Sequence, residues 1–464
     1  MNISTTVLEQ ININEAERIK ETIIALLMRD LKKPGSSSSK KPTILRAEIR
    51  VEGLDAMPWL CAQRPASRGY WSDREGRFEL AGVGRADSIT GNCSLGYHEL
   101  MTILNDRIAA ANGNARYFGG LSFSKDGAKE QLWDYFKAYL FILPRFEVLN
   151  RNGTTTFACN MLTDEDIETI RAELSLLVFP ETKSPSRLPT SIKRRNYPDF
   201  KTWQTNIRTV LASFEPGKYE KVVLARKATF ELSDPIDAAC LLGALKEKTH
   251  RCFHFLFQPD SSAAFLGASP ERLYRRDGHT LKTEAIAGSR SRGDSTEADE
   301  ALCLELISSE KDLREHNYVV RDIRNSLTDL CSLLVEDENP SVLKLARCQH
   351  LITTFKAKLR SGVKDADLLE TLHPTPAVGG FPTRRALRDI SRLEPFDRGW
   401  YAAPVGWIGK DAAQFAVGIR SGLCEGSRLH LFSGAGIVDG STPDEEWEEI
   451  ENKISDFVSL LTRS

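Results

Sequence analysis

Residues 14 to 33 place apolar side chains at Ile19, Ile23, Leu26 and Leu27 with polar residues between them, a spacing that predicts an amphipathic helix. The pattern stops at KKPGSSSSKK, a run with nothing to bury, which reads as a flexible surface loop or linker. From about 43 to 160 the period shortens, and β-like runs such as TILRAEIRVEG alternate with Gly-containing turns around one helical stretch, LGYHELMTILNDRIAAANG. WDYFKAYLFILPRFEVL adds a long aromatic-rich apolar run. A second loop, FPETKSPSRLP at 179 to 189, sets a soft boundary between residues 1–190 and 191–464. Beyond it, strand signals recur in KVVLARKATFEL, CFHFLFQ, AAFLGASPERLYRR, QFAVGIRSGL and LHLFSGAGIV, with helical patterns over about 296–331, 383–392 and 443–462. The strands come in hairpin-like groups rather than in strict β-α-β alternation. This predicts an α+β protein of large, mostly antiparallel sheets packed together with helices outside, the N-terminal part completing the same core.

Composition narrows the function classes. The chain has 464 residues, 41% hydrophobic and 27% charged, enough apolar material for a sizeable core and too much for disorder. Its 62 Lys and Arg against 64 Asp and Glu leave a net charge of −2, so no global basic field selects a nucleic acid. Nine Cys, odd in number, scattered and without a C-x-x-C pair, indicate buried thiols in a reducing compartment. MNISTTVLEQ lacks a basic and apolar leader, and no run approaches the ~18 apolar residues of a membrane span, so a cytoplasmic protein without a membrane partner is expected. No long coiled coil or apolar interface stripe stands out, and a monomer is expected.

Several residues carry candidate chemistry. GAGIVDG at 434 to 440 imitates a dinucleotide-binding fingerprint, but the chain ends too soon after it for a second parallel strand. A tight turn, or glycine backbone that holds a carboxylate, are the remaining readings. The last helix has a strong start in Thr442, Pro443 and Glu445, and an apolar stripe of Trp447, Ile450, Ile454, Phe457 and Leu461. Glu446, Glu449 and Lys453 flank that stripe, either as first-turn acids that suit the helix dipole or as groups leaving the core for a cleft. In SSEKDLREHNYVVRDIRNSL, Leu313, His316, Val320, Ile323 and Leu327 form a second stripe, with Asp312 and Glu315 along its edge. Two carboxylate pairs of this kind could share one hard cation, although spacing leaves open whether they meet. Lys221 opens KVVLA and on pattern alone is a solvated strand edge, and Glu271 before Arg272 is a surface pair.

Read together, KVVLAR, FLGASPERL, TEAIAGSRSRG, SEKDLREH, CQHLITTFKAKL, LLETLHPTPAVGGFP, LEPFDRGWYAAPVGW, FAVGIRSGL and SGAGIVDGSTPDEEWEEIENK resemble, in order, the chorismate-utilising enzymes, a family that includes isochorismate, salicylate, anthranilate and aminodeoxychorismate synthases. They span about 215 to 455. Within the family, LHPTPAVGGFP followed by LEPFDRGWY is similar to isochorismate synthases, and WDYFKAYLFILPRFEVL to their longer, menaquinone-type members. AGSRSRG, in contrast, leans toward the anthranilate type.

The resemblance implies isomerisation of chorismate to isochorismate with Mg²⁺ as cofactor, and no glutaminase subunit. It implies Lys221 as general base and Glu271 as general acid. Glu315 and Glu449 are implied as Mg²⁺ ligands, with Asp312 and Glu446 acting through water. Gly288, Ser289, His350, Tyr401, Arg420, Gly434, Ala435, Gly436 and Lys453 are implied as the substrate-binding set. Salicylate synthase, which adds pyruvate elimination, and a silent chorismate-binding module are the alternatives. A water attacking C2 while the C4 hydroxyl leaves needs one base and one acid, and a dianionic substrate accounts for cationic groups in a near-neutral chain.

Overall fold

Alternation along two neighbouring strands explains how the chain fills its interior. In Phe253–Gln258 the three phenylalanines 253, 255 and 257 share one face and Leu256 takes the other. In Ala263–Ser269, Ala263 and Phe265 join the first face, and Ala264, Leu266 and Ala268 the second. All are buried, so this sheet is covered on both sides.

The computed structural model describes residues 10–32, 42–64, 67–92, 95–124, 130–180, 188–214 and 220–462. Most of the run at 32–41, most of the loop at 179–189, and Cys93 lie outside the described residues. Within them the strands form two large sheets. One, of 13 strands, runs in the order Gln10–Asn12, Ile44–Glu52, Thr154–Leu162, Phe146–Arg151, Phe78–Val83, Arg68–Ser72, Phe253–Gln258, Ala263–Ser269, Ser421–Glu425, Arg428–Ile437, Lys221–Leu232 and Ser191–Tyr197, with Gly380–Phe381 added on Lys221–Leu232. The other, of 10 strands, runs Cys331–Glu336, Cys348–Leu359, Thr280–Ser291, Arg272–Asp277, Ala412–Val417, Pro404–Gly409, Arg116–Leu121, Tyr139–Leu143 and Asp87–Gly91, with Ser341–Lys344 on Cys348–Leu359. Pairing is antiparallel except where Gln10–Asn12 meets Ile44–Glu52. The large antiparallel sheets and surrounding helices agree with the α+β expectation.

The sheets pack face to face through an aromatic layer. Phe78 of the first stacks on Trp407 of the second at 5.0 Å, and Trp71 Nε1 donates to Gln414 Oε1 across the interface at 3.2 Å. A second apolar layer lies between the 13-stranded sheet and the helices Ala16–Leu31, Ala56–Ala62, Ile167–Ser175, Ala238–Lys248 and Pro443–Leu461.

The chain passes from one sheet to the other at short corners. Pro144 and Arg145 divide Tyr139–Leu143 from Phe146–Arg151, splitting the aromatic run of the sequence into two strands in different sheets. Pro270 and Glu271 divide Ala263–Ser269 from Arg272–Asp277, and residues 418–420 divide Ala412–Val417 from Ser421–Glu425.

Two expectations need correction. The pattern over 296–331 is not one helix: it breaks at Ser309, whose Oγ accepts the Asp312 amide at 3.3 Å and starts Glu310–Thr328 anew after Thr296–Ser308. The thiols are not uniformly buried either. Among the described residues no disulfide is formed, and Cys61, Cys240, Cys303 and Cys348 are only half-buried. No helix among the described residues is long and apolar enough to cross a membrane.

Candidate functional site

The corners and the helices around them enclose one cleft. Lys221 is the first residue of its strand and is fully buried, not the solvated edge its pattern suggested. Glu271, in the corner between the sheets, is 4% exposed, and its carboxylate meets Thr375 rather than forming a surface pair with Arg272. Both line a cleft with an empty volume of about 710 Å³ counted out to its mouth, together with Gly288, Ser289, Glu315, His350, Tyr401, Arg420, Gly434, Gly436, Glu449 and Lys453. Asp312 and Glu446 border the adjoining space, which shares Glu315, Glu449, His350, Arg420 and Lys453 with the first.

Each side chain is aimed by its element. Glu315 and Asp312 project from Glu310–Thr328, whose His316 Nε2 meets Thr353 Oγ1 at 2.8 Å and pins the helix to the 10-stranded sheet. Glu446, Glu449 and Lys453 project from Pro443–Leu461, whose Thr442 caps it by accepting the Glu445 amide at 3.4 Å. Glu445 and Glu448 are exposed, whereas beside the apolar stripe Glu446 is buried and Glu449 half-buried; Glu449 lines the cleft and Glu446 the adjoining space. At Gly436 a Cβ would lie 2.7 Å from Glu315 Oε1 and 3.0 Å from Lys221 Cε, so any side chain there would displace the ends of those two groups. Gly288 sits in a bulge of Thr280–Ser291 at φ +74°, facing Asp312.

The electrostatics are those of a cleft with mixed charge. Lys221 Nζ lies 3.0 Å from Glu315 Oε1, and Lys453 Nζ lies 2.6 Å from Glu449 Oε1 while donating to the Gly434 carbonyl at 2.9 Å. Burial pushes the Glu271 carboxyl up to about 7 against the opposing charge of Lys221, with Glu284 adding to the rise. Burial and the neighbouring Glu449 carboxylate likewise raise Glu446. Burial acts on Glu449 in the same sense, but Lys453 outweighs it and holds that group below the usual range. At the far wall, His350 Nδ1 approaches the Gly288 carbonyl at 3.1 Å and Ser289 Oγ at 2.9 Å. A proton on Nδ1 leaves Nε2 to accept from Arg420 Nη2 at 2.8 Å. Arg420 Nη2 also meets Cys348 Sγ at 2.9 Å. Tyr401 stacks on Phe432 at 5.5 Å.

A family model for chorismate binding enzyme matches residues 29–462. The chain belongs to the chorismate-binding enzymes. It is 32% identical to isochorismate synthase MenF of Bacillus subtilis over 436 residues, covering 89% of this chain and 92% of that one. It is 33% identical to the salicylate biosynthesis isochorismate synthase of Pseudomonas aeruginosa, covering 91% of each. Its fold matches the structure of MenF, the menaquinone-specific isochorismate synthase of Escherichia coli, with a TM-score of 0.81 at 30% identity over 96% of this chain and all of that one.

In this chorismate-binding enzyme Ala435 does not line the cleft. Strand alternation turns its side chain to the opposite face, into the small core with Trp203, Ile207 and Ile450. Sequence reasoning also missed Thr375, which donates to Glu271 Oε1 at 3.4 Å, and the wall residues Ala377, Val378 and Phe432. The first three lie in HPTPAVGG, a string read as a motif but not resolved into contacts. Cys348 gave no signal beyond its type.

Proposed function

We propose that this enzyme isomerises chorismate to isochorismate with Mg²⁺ as cofactor. The observation that carries the reading is the presence, in the walls of one cleft, of a buried lysine and a buried glutamate raised to about 7. Lys221 takes a proton from a water as its oxygen bonds to C2, the two ring double bonds shift, and the C4 hydroxyl leaves as water with the proton of Glu271. Near neutral pH Glu271 holds that proton in a substantial fraction of molecules, which is the state an acid catalyst needs. Arg420 and Lys453 supply cationic groups for a dicarboxylate, and His350 and Ser289 orient the wall beside Arg420.

The carboxylates suit a hard cation. Glu446 Oε2 is buried without a hydrogen-bond partner, and Glu446 and Glu449 crowd like charges at the mouth of the cleft. Glu315 and Glu449 would hold the ion directly, with Asp312 and Glu446 behind. Among the described residues no three such groups gather into a ready cage, and Glu315 and Glu449 are paired with lysines instead. When bound, Mg²⁺ supplies Lewis-acid stabilisation of charge on the ring carboxylate.

Replacing Lys221 with Ala, or Glu271 with Gln, is expected to lower kcat by about 10²–10⁴-fold with the fold retained, as measured by chorismate turnover and circular dichroism. In the wild type, kcat/KM should fall as pH rises through about 7, where Glu271 loses its proton. Full activity in the Lys221→Ala protein would overturn the assignment.

A further inference from the structure

On one side the Glu271 backbone is held by Ser269 Oγ, which accepts its amide at 3.2 Å, and by the Val417 amide, which donates to its carbonyl at 3.1 Å; on the other, both peptide units beside it are tied to one ion pair. Arg74 Nη1 donates to the carbonyl of Pro270 at 2.8 Å, and Arg74 Nη2 to Glu284 Oε2 at 2.7 Å. The other oxygen of that carboxylate, Glu284 Oε1, accepts the backbone amide of Arg272 at 3.3 Å. The chain of contacts from the residue before Glu271 to the residue after it is therefore closed by Arg74 and Glu284. Arg74 and Arg272 both lie over the Phe253 ring, at 5.7 and 5.2 Å, and Arg272 pairs with Glu75.

The two partners come from distant parts of the chain. Glu284 lies in Thr280–Ser291 with a side chain wholly buried. Arg74 lies in the turn joining Arg68–Ser72 to Phe78–Val83, where Asp73 Oδ1 accepts the amides of Arg77 and Phe78 at 2.8 and 3.2 Å and fixes the turn's shape. That turn belongs to the N-terminal part, none of whose described residues lines the cleft.

We propose that the Arg74–Glu284 ion pair is a positioning clamp for Glu271, so that the N-terminal part of the chain serves the catalytic centre without touching substrate. The inference rests on the role of Glu271 given above. The clamp acts in two ways. It fixes the direction from which the carboxyl enters the cleft, and misplacement of a catalytic group by about 1 Å costs about 10²-fold in rate. It also sets a charge: Glu284 favours the protonated acid, while Arg74 tempers Glu284. The other charged or titratable groups acting on Glu271 are Lys221 from the neighbouring strand, Lys453 from the last helix and Tyr401 from the far wall, with Thr375 as hydrogen-bond donor.

The test compares Arg74→Gln and Glu284→Gln by kcat, KM, the pH profile of kcat/KM and thermal unfolding. Both should lose about 10–100-fold in kcat with KM changed less than about threefold. The alkaline limb should move in opposite directions, to lower pH in Glu284→Gln, which removes the negative charge, and to higher pH in Arg74→Gln, which leaves Glu284 less compensated. General loosening of the fold would move neither limb. Unchanged kcat, or limbs that stay in place, would overturn the clamp. If the glutamine variants do not fold, Arg74→Lys decides: it keeps the charge but cannot bridge both acceptors as a fork, and kcat equal to wild type would overturn the proposal. Wild-type protein that makes no isochorismate would instead overturn the reading of Glu271 itself.

Discussion

Cys348 differs from the other cysteines in what surrounds it. Burial pushes the thiols of Cys159 and Cys424 far up and that of Cys252 to about 12. At Cys348 burial acts in the same sense, but Arg420 and His350 outweigh it and bring the thiol down to about 6. It also lines the space adjoining the cleft, so it should be the described cysteine that iodoacetamide alkylates first, with a rate that holds from pH 8 to 7 and falls below about 6. Excess chorismate should slow the reaction. Mass-spectrometric mapping showing another cysteine modified first, or a midpoint near 9, would contradict this. At this scale the sequence was least informative. Lys221 and Glu271 look like ordinary edge and surface residues until the strand start and the inter-sheet corner bury them, and only the resemblance singled them out.

Elements were more legible, for reasons visible in their ends. The last helix announces itself by Thr442 and Pro443, and its stripe separates Glu446 and Glu449 from Glu445 and Glu448 as the structure does. The break at Ser309 was missed because an apolar pattern continues through it, although Ser309 before Asp312 is itself a start signal. Replacing Ser309 with Ala removes that cap and should cost about 1 kcal/mol in urea denaturation, with a loss of activity as Glu315 and Asp312 lose their fixed bearing. No change in either quantity would show that packing alone sets the helix. The corners were illegible: nothing in FLGASPERL says that its two halves join different sheets, because that depends on Ser421–Glu425 and Ala412–Val417, which lie far along the chain.

Across the whole molecule, both sheets are shared between the two parts of the chain. In the 13-stranded sheet the junction is Arg68–Ser72 against Phe253–Gln258, and in the 10-stranded sheet it is Arg116–Leu121 against Pro404–Gly409. A fragment of residues 191–464 would bare both strand edges and half of the aromatic layer, and should aggregate or unfold without cooperativity in a thermal melt. A soluble fragment with a cooperative transition and activity would show that the C-terminal part stands alone. The chemistry of the cleft is read out by product analysis with chorismate, Mg²⁺ and no ammonia. Isochorismate as the product, with none formed once the ion is chelated, is the predicted result; stoichiometric salicylate and pyruvate, or no turnover, would contradict it.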